Sequence, residues 1–348
     1  MLRARGQTMV RELVVAAALS AALVTGAARA DVVLYGKIYA EFATESFGAG
    51  ASAVTYSTLD DEQNLGRLGV KFSQELTSGL TAVGKYEFSV NAPDSTNDFA
   101  MRDAFVGLKG GFGQIAMGRF DGAYKVTGGV NWDPFAFTSL QLTRHGGQSQ
   151  SNFGNEGFID RAIEYRTPEF DEGGTRFIGI LQYGADASPS STTTPKDSVL
   201  AGFTIGVGGF ELIYAFANDT GTSDTNQKMG VKFTAGDAAF AIQSEEVDQG
   251  GFDPGGEGAF MTGIITYQVG NWLWVAEIAD YNSDYISNDG GTPADPTDDI
   301  LANASLLTLG FRYYMAKNIW INFGIRETDS DIDTQDSSAT VLGLRYDF

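Results

Sequence analysis

Apolar and polar side chains alternate with a period of two along most of the chain after residue 31. Four segments show this pattern, each with large apolar side chains on one face and polar or small ones on the other: Gly66–Ser73, Thr81–Phe88, Leu306–Tyr314 and Ile319–Arg326. A period of two is the pattern of β-strands whose faces meet different surroundings. It predicts an all-β chain, although alternation alone also fits a soluble sandwich.

The lengths of the connections between these segments favour another fold over the soluble sandwich, because short and long connections alternate along the chain. The short turns are Leu76–Gly79, Gly110–Phe112, Gly208-Gly209, Ala235–Asp237, Val269–Asn271 and Ala316–Asn318. The long polar connections are Ala43–Leu65, Asn91–Phe99, Asp121–Phe158, Ala185–Asp197, Asn218–Asn226, Val247–Gly258, Asn282–Asn303 and Glu327–Ser338. Short turns at one end and long loops at the other are typical of outer-membrane barrels. We therefore predict a transmembrane up-and-down antiparallel β-barrel of about sixteen strands, wide enough for an aqueous channel.

The third long connection, Asp121–Phe158, differs from an ordinary surface loop in length and composition. Connections this long are usually functional or disordered, and disordered segments are poor in aromatic residues. This one carries Tyr124, Trp132, Phe135, Phe137, Phe153 and Phe158. We predict that it folds into the lumen of the barrel and narrows it.

The first thirty residues have the pattern of a cleaved signal peptide. Arg3, Arg5 and Arg11 precede an apolar core, and Ala28-Arg29-Ala30 supplies a small-x-small cleavage site. Met1 and Met9 both remain possible starts. We predict export, with residues 31–348 forming one barrel domain.

Charge and cysteine content exclude several functions. Removing residues 1–30 takes away four basic residues and one acidic residue, which leaves a net charge of about −24. This charge excludes nucleic acid as a partner. The chain has no cysteine and one histidine, His145, which stands at no catalytic motif spacing. We therefore expect no enzymatic activity, cofactor or metal site.

Most of the acidic residues fall in the predicted loops. Asn282–Asn303 and Glu327–Ser338 each hold five acidic residues. One interpretation is a solvated surface that stays soluble by repulsion. The alternative is that divalent cations bridge these acids to anionic lipopolysaccharide in the outer leaflet.

Four stretches resemble the general-diffusion porins of the Gram-negative outer membrane. They are VVLYGKIYAEF (Val32–Phe42), GRLGVKF (Gly66–Phe72), RDAFVGLKGGFGQIAMGRF (Arg102–Phe120), and YRTPEF followed by LQYG (Tyr165–Gly184), with LGLRYDF closing the chain. The resemblance implies a homotrimer of sixteen-stranded barrels in outer-membrane lipid, passing ions and small hydrophilic solutes by passive diffusion. Tyr346 and Phe348 resemble the aromatic signal read by the outer-membrane assembly machinery.

The resemblance also implies a constriction where acidic residues of the third loop face basic residues of the wall. Arg67 and Arg102 match the wall arginines, and Asp133 and Asp121 are the candidate acids. Where the family usually has another inward arginine, this chain has a phenylalanine. Arg161 lies nearby but shares a strand phase with outward residues, so it would need a bulge to face the pore.

A second functional hypothesis is a substrate-selective channel with a saturable site for an anion or another solute. Inward arginines on the last three strands, Arg312, Arg326 and Arg345, favour it. Lys71 and Lys85 complete the predicted set of basic pore-lining residues.

Overall fold

The computed structural model describes residues 30–48, 53–61, 65–77, 79–93, 99–143, 145–150, 153–172, 174–185, 197–219, 224–251, 256–288 and 300–348. Residues 1–29 of the predicted signal peptide and the acid-rich stretch 289–299 lie outside these ranges. Within the ranges, no helix is long and apolar enough to cross a membrane.

Twenty strands, one short α-helix and two 3₁₀-helices make up the described chain. The strands are β1 (Asp31–Phe47), β2 (Val54–Asp60), β3 (Arg67–Thr77), β4 (Leu80–Ser89), β5 (Met101–Gly110), β6 (Gly113–Asp121), β7 (Phe158–Arg166), β8 (Phe170–Glu172), β9 (Thr175–Gly184), β10 (Ser198–Val207), β11 (Phe210–Asp219), β12 (Thr225–Ala235), β13 (Ala238–Val247), β14 (Gly258–Val269), β15 (Trp272–Ser283), β16 (Ile286–Asn288), β17 (Ile300–Leu301), β18 (Ala304–Ala316), β19 (Ile319–Ser330) and β20 (Ser337–Asp347). The helix is α1 (Ala123–Val126), and the 3₁₀-helices are Gly129–Asn131 and Asp333–Gln335.

The main sheet closes on itself through the first strand. One edge of β1 pairs with β20, from Lys37 opposite Asp347 to Phe47 opposite Ser337. Its other edge pairs with β2 and β3. β16 and β17 pair only with each other, in a separate two-stranded sheet, which leaves 18 of the described strands in the main sheet. Because β2 with β3, and β7 with β8, each occupy one position in the wall, the barrel has 16 antiparallel strands. This confirms the predicted architecture.

The two faces of the wall follow the predicted alternation. Large apolar side chains on the outer face are exposed, including Ile38, Met117, Ile242 and Leu342, as lipid-facing positions require. Glycine makes the short turns possible: Gly208 and Gly270 have φ of +58° and +56°, in the left-handed region that a Cβ disfavours.

The third long connection lies inside the barrel, as predicted; we call residues 122–157 loop 3. Its aromatic and aliphatic side chains fit against small residues of the opposite wall. A Cβ built on Gly230 would lie 2.8 Å from the ring of Trp132, and one on Gly324 would lie 2.7 Å from Leu140. A side chain at either glycine would therefore displace the loop from the wall.

The inner wall also supplies hydrogen-bond partners for the backbone of loop 3. Gln182, Gln243 and Glu41 accept from the amides of Ala123, Gly129 and Ser139 at 2.7, 2.8 and 2.9 Å. Lys228, Thr262 and Thr328 donate to the carbonyls of Tyr124, Gly147 and His145 at 2.6, 2.6 and 2.8 Å. Buried backbone groups need such partners, so these polar wall residues fix the position of the loop.

Candidate pore constriction

The centre of the candidate constriction is Glu87, an inward residue of β4. Its Oε1 lies 3.6 Å from Nη1 of Arg67 on β3, and its Oε2 lies 3.2 Å from Nζ of Lys85. Tyr35 on β1 donates to the same carboxylate at 2.7 Å. Three adjacent strands thus direct charged or polar side chains at one lumenal point.

A β-bulge brings Arg102 and Asp103 into this group together. The register between β4 and β5 shifts so that Glu87 alone faces both residues. Both are buried, and Nε of Arg102 donates to Oε1 of Glu87 at 3.1 Å, while Lys85 pairs with Asp103. Strict alternation would point one of these two neighbouring side chains outward. The extra residue of the bulge allows both to face the lumen.

The end of β6 and the start of loop 3 add two more charges to the same place. Asp121, at the end of β6, pairs with Lys125 of α1 at 2.8 Å, and its amide donates to Oδ1 of Asp103 at 2.8 Å. Burial lowers the pKa of Lys125, and the nearby Asp121 opposes that change. We call the assembled group the charge cluster: Arg67, Lys85, Glu87, Arg102, Asp103, Asp121 and Lys125.

Two aromatic rings lie among the cations of the charge cluster. The ring centroid of Phe137 is 4.7 Å from Cζ of Arg67, 5.7 Å from Cζ of Arg102 and 5.3 Å from Nζ of Lys125. The ring of Phe158 is 4.9 Å from Cζ of Arg102 and 4.3 Å from Nζ of Lys125. Rings at these distances attract the cations and limit their contact with water.

Asp133 does not join the charge cluster; it lies against the far wall. Its carboxylate accepts from the amides of Phe135 and Leu142 at 2.6 and 3.0 Å, and it lies beside the buried Glu277 of β15. Burial raises the pKa of Asp133 to about 6. The aspartate before Pro134 therefore shapes loop 3 and does not face the wall arginines.

Arg161 also lies apart from the charge cluster. The sequence analysis required a bulge for Arg161 to face the pore, and β7 does contain one: Arg119 of β6 lies opposite both Asp160 and Arg161. Arg161 has φ of +50°, but its side chain remains exposed. Phe158, at the position where an arginine was expected, contacts the cluster instead.

The late arginines have different partners from those expected of a lumenal ladder. Arg312 donates to the carbonyl of Pro134, and Arg326 donates to that of Ser139 at 2.6 Å, so both hold loop 3. Arg345 binds Asp347 on its own strand. Lys71 lies 4.7 Å from the ring of Tyr35, beside the charge cluster.

The sequence analysis did not predict that Glu87, Lys125 and Phe137 would lie beside the wall arginines. Glu87 was recognisable in principle, since it shares the inward phase of Lys85 on the same strand. Lys125 and Phe137 lie in an irregular loop, where no periodicity indicates the direction of a side chain.

A model of the Gram-negative porin family matches residues 16–333. The chain is 30% identical over 210 residues to major outer membrane protein P.IB of Neisseria meningitidis serogroup B, which covers 58% of this chain and 57% of that protein. The anion-selective porin of Comamonas acidovorans superposes with a TM-score of 0.67 at 17% identity, over 92% of this chain and all of that one. OmpF of Salmonella typhi, solved with daunomycin, gives 0.67 at 18% identity, over 91% and 97%.

The fold and the family match together define an outer-membrane β-barrel protein of a Gram-negative bacterium. The chain belongs to the Gram-negative porin family. The aligned region spans a little over half the length of the meningococcal relative.

Proposed function

We propose that the protein is a channel for passive diffusion of ions and small hydrophilic solutes. The observation that carries this proposal is the placement of loop 3 inside a closed barrel, where its Lys125 meets the charged residues of β3, β4, β5 and β6 in the charge cluster. A fixed group of cations and anions in a narrow, low-dielectric passage sorts solutes by charge and size without a chemical step. Accordingly, we propose no catalysis.

The substrate-selective alternative based on the late arginines has less support. Arg312 and Arg326 donate hydrogen bonds to carbonyls of loop 3. Arg345 donates two hydrogen bonds to the carboxylate of Asp347. These cations are therefore poorly placed to form a ladder for solutes.

Planar-bilayer recording of the purified protein tests the channel directly. We expect stepwise conductance that increases in proportion to salt, and liposomes containing the protein should swell in small neutral sugars but not in large oligosaccharides. Folded, heat-modifiable protein that gives no conductance steps would overturn the proposal.

We further propose that the channel is a homotrimer assembled in contact with outer-membrane lipid and lipopolysaccharide. Tyr346 and Phe348, 42% and 48% exposed on the outer face, would be read by the assembly machinery. Phe348→Ala should reduce the yield of heat-modifiable trimer. Leu342→Ala, which removes another outward side chain from the same strand, is the control, and equal yields would contradict the assembly role.

A further inference from the structure

Two glutamates of the inner wall, both almost completely buried, differ in their hydrogen bonds. Glu245 of β13 accepts from the hydroxyl of Tyr124 at 2.9 Å, from the side-chain amide of Asn155 at 2.9 and 3.0 Å, and from that of Gln243 at 2.8 Å. Glu277 of β15 has no hydrogen-bond partner for either carboxyl oxygen among the described residues. Donors therefore compensate the burial of a negative charge at Glu245 but not at Glu277.

The surroundings of Glu277 offer it no donor and a second acid. Opposite it in the sheet are Ile264 of β14 and Thr308 of β18, neither of which titrates. The hydroxyl of Thr308 donates to a carbonyl of loop 3 at 3.5 Å. From loop 3 itself, the carboxyl of Asp133 lies against Glu277. Two ionised carboxylates in contact would repel each other strongly at a site that excludes water.

The cation whose charge acts on Asp133 is Arg312 of β18. Its hydrogen bonds go elsewhere, to the side chain of Asn322 at 3.0 Å and to the carbonyl of Pro134. A proton can join two carboxyl groups in the absence of a paired cation, because one carboxyl then donates and the other accepts. The surroundings of Glu277 thus favour a pair of acids that shares one proton.

We propose that Glu277 is protonated at neutral pH and donates a hydrogen bond to the carboxylate of Asp133. Glu277 is then a positioning residue for loop 3, since Asp133 also accepts from the amides of Phe135 and Leu142 at 2.6 and 3.0 Å. In alkaline solution the proton passes to hydroxide, and two carboxylates remain in contact. Their repulsion pushes this part of loop 3 away from the far wall.

Infrared spectroscopy of the folded protein at neutral pH tests the protonation state without relying on conductance. We expect the carbonyl band of a protonated carboxylic acid in the wild type and a weaker band in Glu277→Gln. Glu245→Gln is the control, because donors reach both oxygens of Glu245 and its replacement should remove no protonated acid. A band of equal strength in the wild type and Glu277→Gln would overturn the proposal.

Planar-bilayer recordings from neutral to alkaline pH test the positioning role. Wild-type open-channel noise should rise several-fold as Glu277 loses its proton. Glutamine has nearly the same shape and keeps an N–H donor at every pH, so the noise of Glu277→Gln should stay at the neutral wild-type level. Glu277→Ala removes the donor and should be noisy at every pH. An equal rise of noise in the wild type and Glu277→Gln would refute the positioning role.

The recordings rest on the proposed function, because noise is measured on a conducting channel, whereas the infrared band does not. Folded wild-type protein that gives no conductance steps would refute the channel. Loss of the acid band in Glu277→Gln would still support the protonated acid pair in that case, and an unchanged band would refute the pair even in a conducting channel.

Discussion

The two sides of the lumen use arginine in different ways. On the far side, Arg312 and Arg326 donate to backbone carbonyls of loop 3. On the near side, Arg67 and Arg102 contact Glu87 and aromatic rings but retain N–H groups without acceptors among the described residues. The same residue type thus holds the loop on one side and faces the passage on the other. All four side chains point inward, so direction alone does not distinguish these roles. The difference is that carbonyl groups of loop 3 lie within reach of Arg312 and Arg326.

We expect the largest effect from Gly324→Leu, which fills the space that loop 3 uses on the far wall. The new side chain would overlap Leu140, 2.7 Å from the position of its Cβ, and force the loop towards the charge cluster. Single-channel conductance should fall several-fold. Gly111→Leu is the control, because a Cβ there meets nothing within 4 Å. Equal conductance in both variants would contradict a tightly fitted loop.

Arg326→Gln should loosen the loop without filling the wall. The guanidinium is fully buried and bonds to Ser139, and a hydrogen bond to a charged group contributes about 1.5–3 kcal/mol. We expect open-channel noise to increase while the mean conductance changes less than in Gly324→Leu. Arg176→Gln is the control, since its partly exposed ion pairs contribute about 0–1 kcal/mol. Open-channel noise in Arg326→Gln equal to that of the wild type would contradict the role of Arg326 in holding loop 3.

Arg67→Glu tests the near side through ion selectivity. With its acidic loops, the wild type should prefer cations weakly at low salt and lose that preference as salt screens charges beyond about 8 Å. The substitution places a negative charge inside the constriction, so cation preference should deepen at every salt concentration. Zero-current potentials across a KCl gradient measure this shift, with Lys232→Glu as the matched control. A strong anion preference in the wild type at low salt would contradict this account.

The smallest effect concerns pH and Asp133. Burial raises the pKa of Asp133 to about 6 from an ordinary value of 3.8, so the folded state holds this proton more tightly than the unfolded state. This tighter binding stabilises the folded state. The stabilisation is fully present below about pH 4, and at most about 3 kcal/mol of it is lost as the pH rises to about 6. Melting temperatures in detergent from pH 4 to 7 should fall less in Asp133→Asn than in the wild type. An equal fall of melting temperature with pH in both proteins would contradict the raised pKa of Asp133.

The barrel could be predicted from the sequence because apolar and polar side chains alternate along each strand. The lengths of the connections also distinguish the two ends of the barrel. Arg67, Arg102 and Asp121, which the sequence analysis assigned to the constriction, all lie in the charge cluster. The sequence could not place Asp133, whose partners are amides of its own loop and an acid on a distant strand. The bulge that turns Arg102 inward depends on pairing between strands, which periodicity along one strand does not contain.

Ser139 has a consequence for how the chain folds. Its amide and hydroxyl bind Glu41, 98 residues earlier, and its carbonyl accepts from Arg326, 187 residues later. The strands that carry these two partners, β1 and β19, lie on either side of β20. One loop residue therefore joins the beginning and end of the barrel, through contacts of high sequence separation that form late and slowly. We expect docking of the loop and sealing of the last seam to occur in a single kinetic phase.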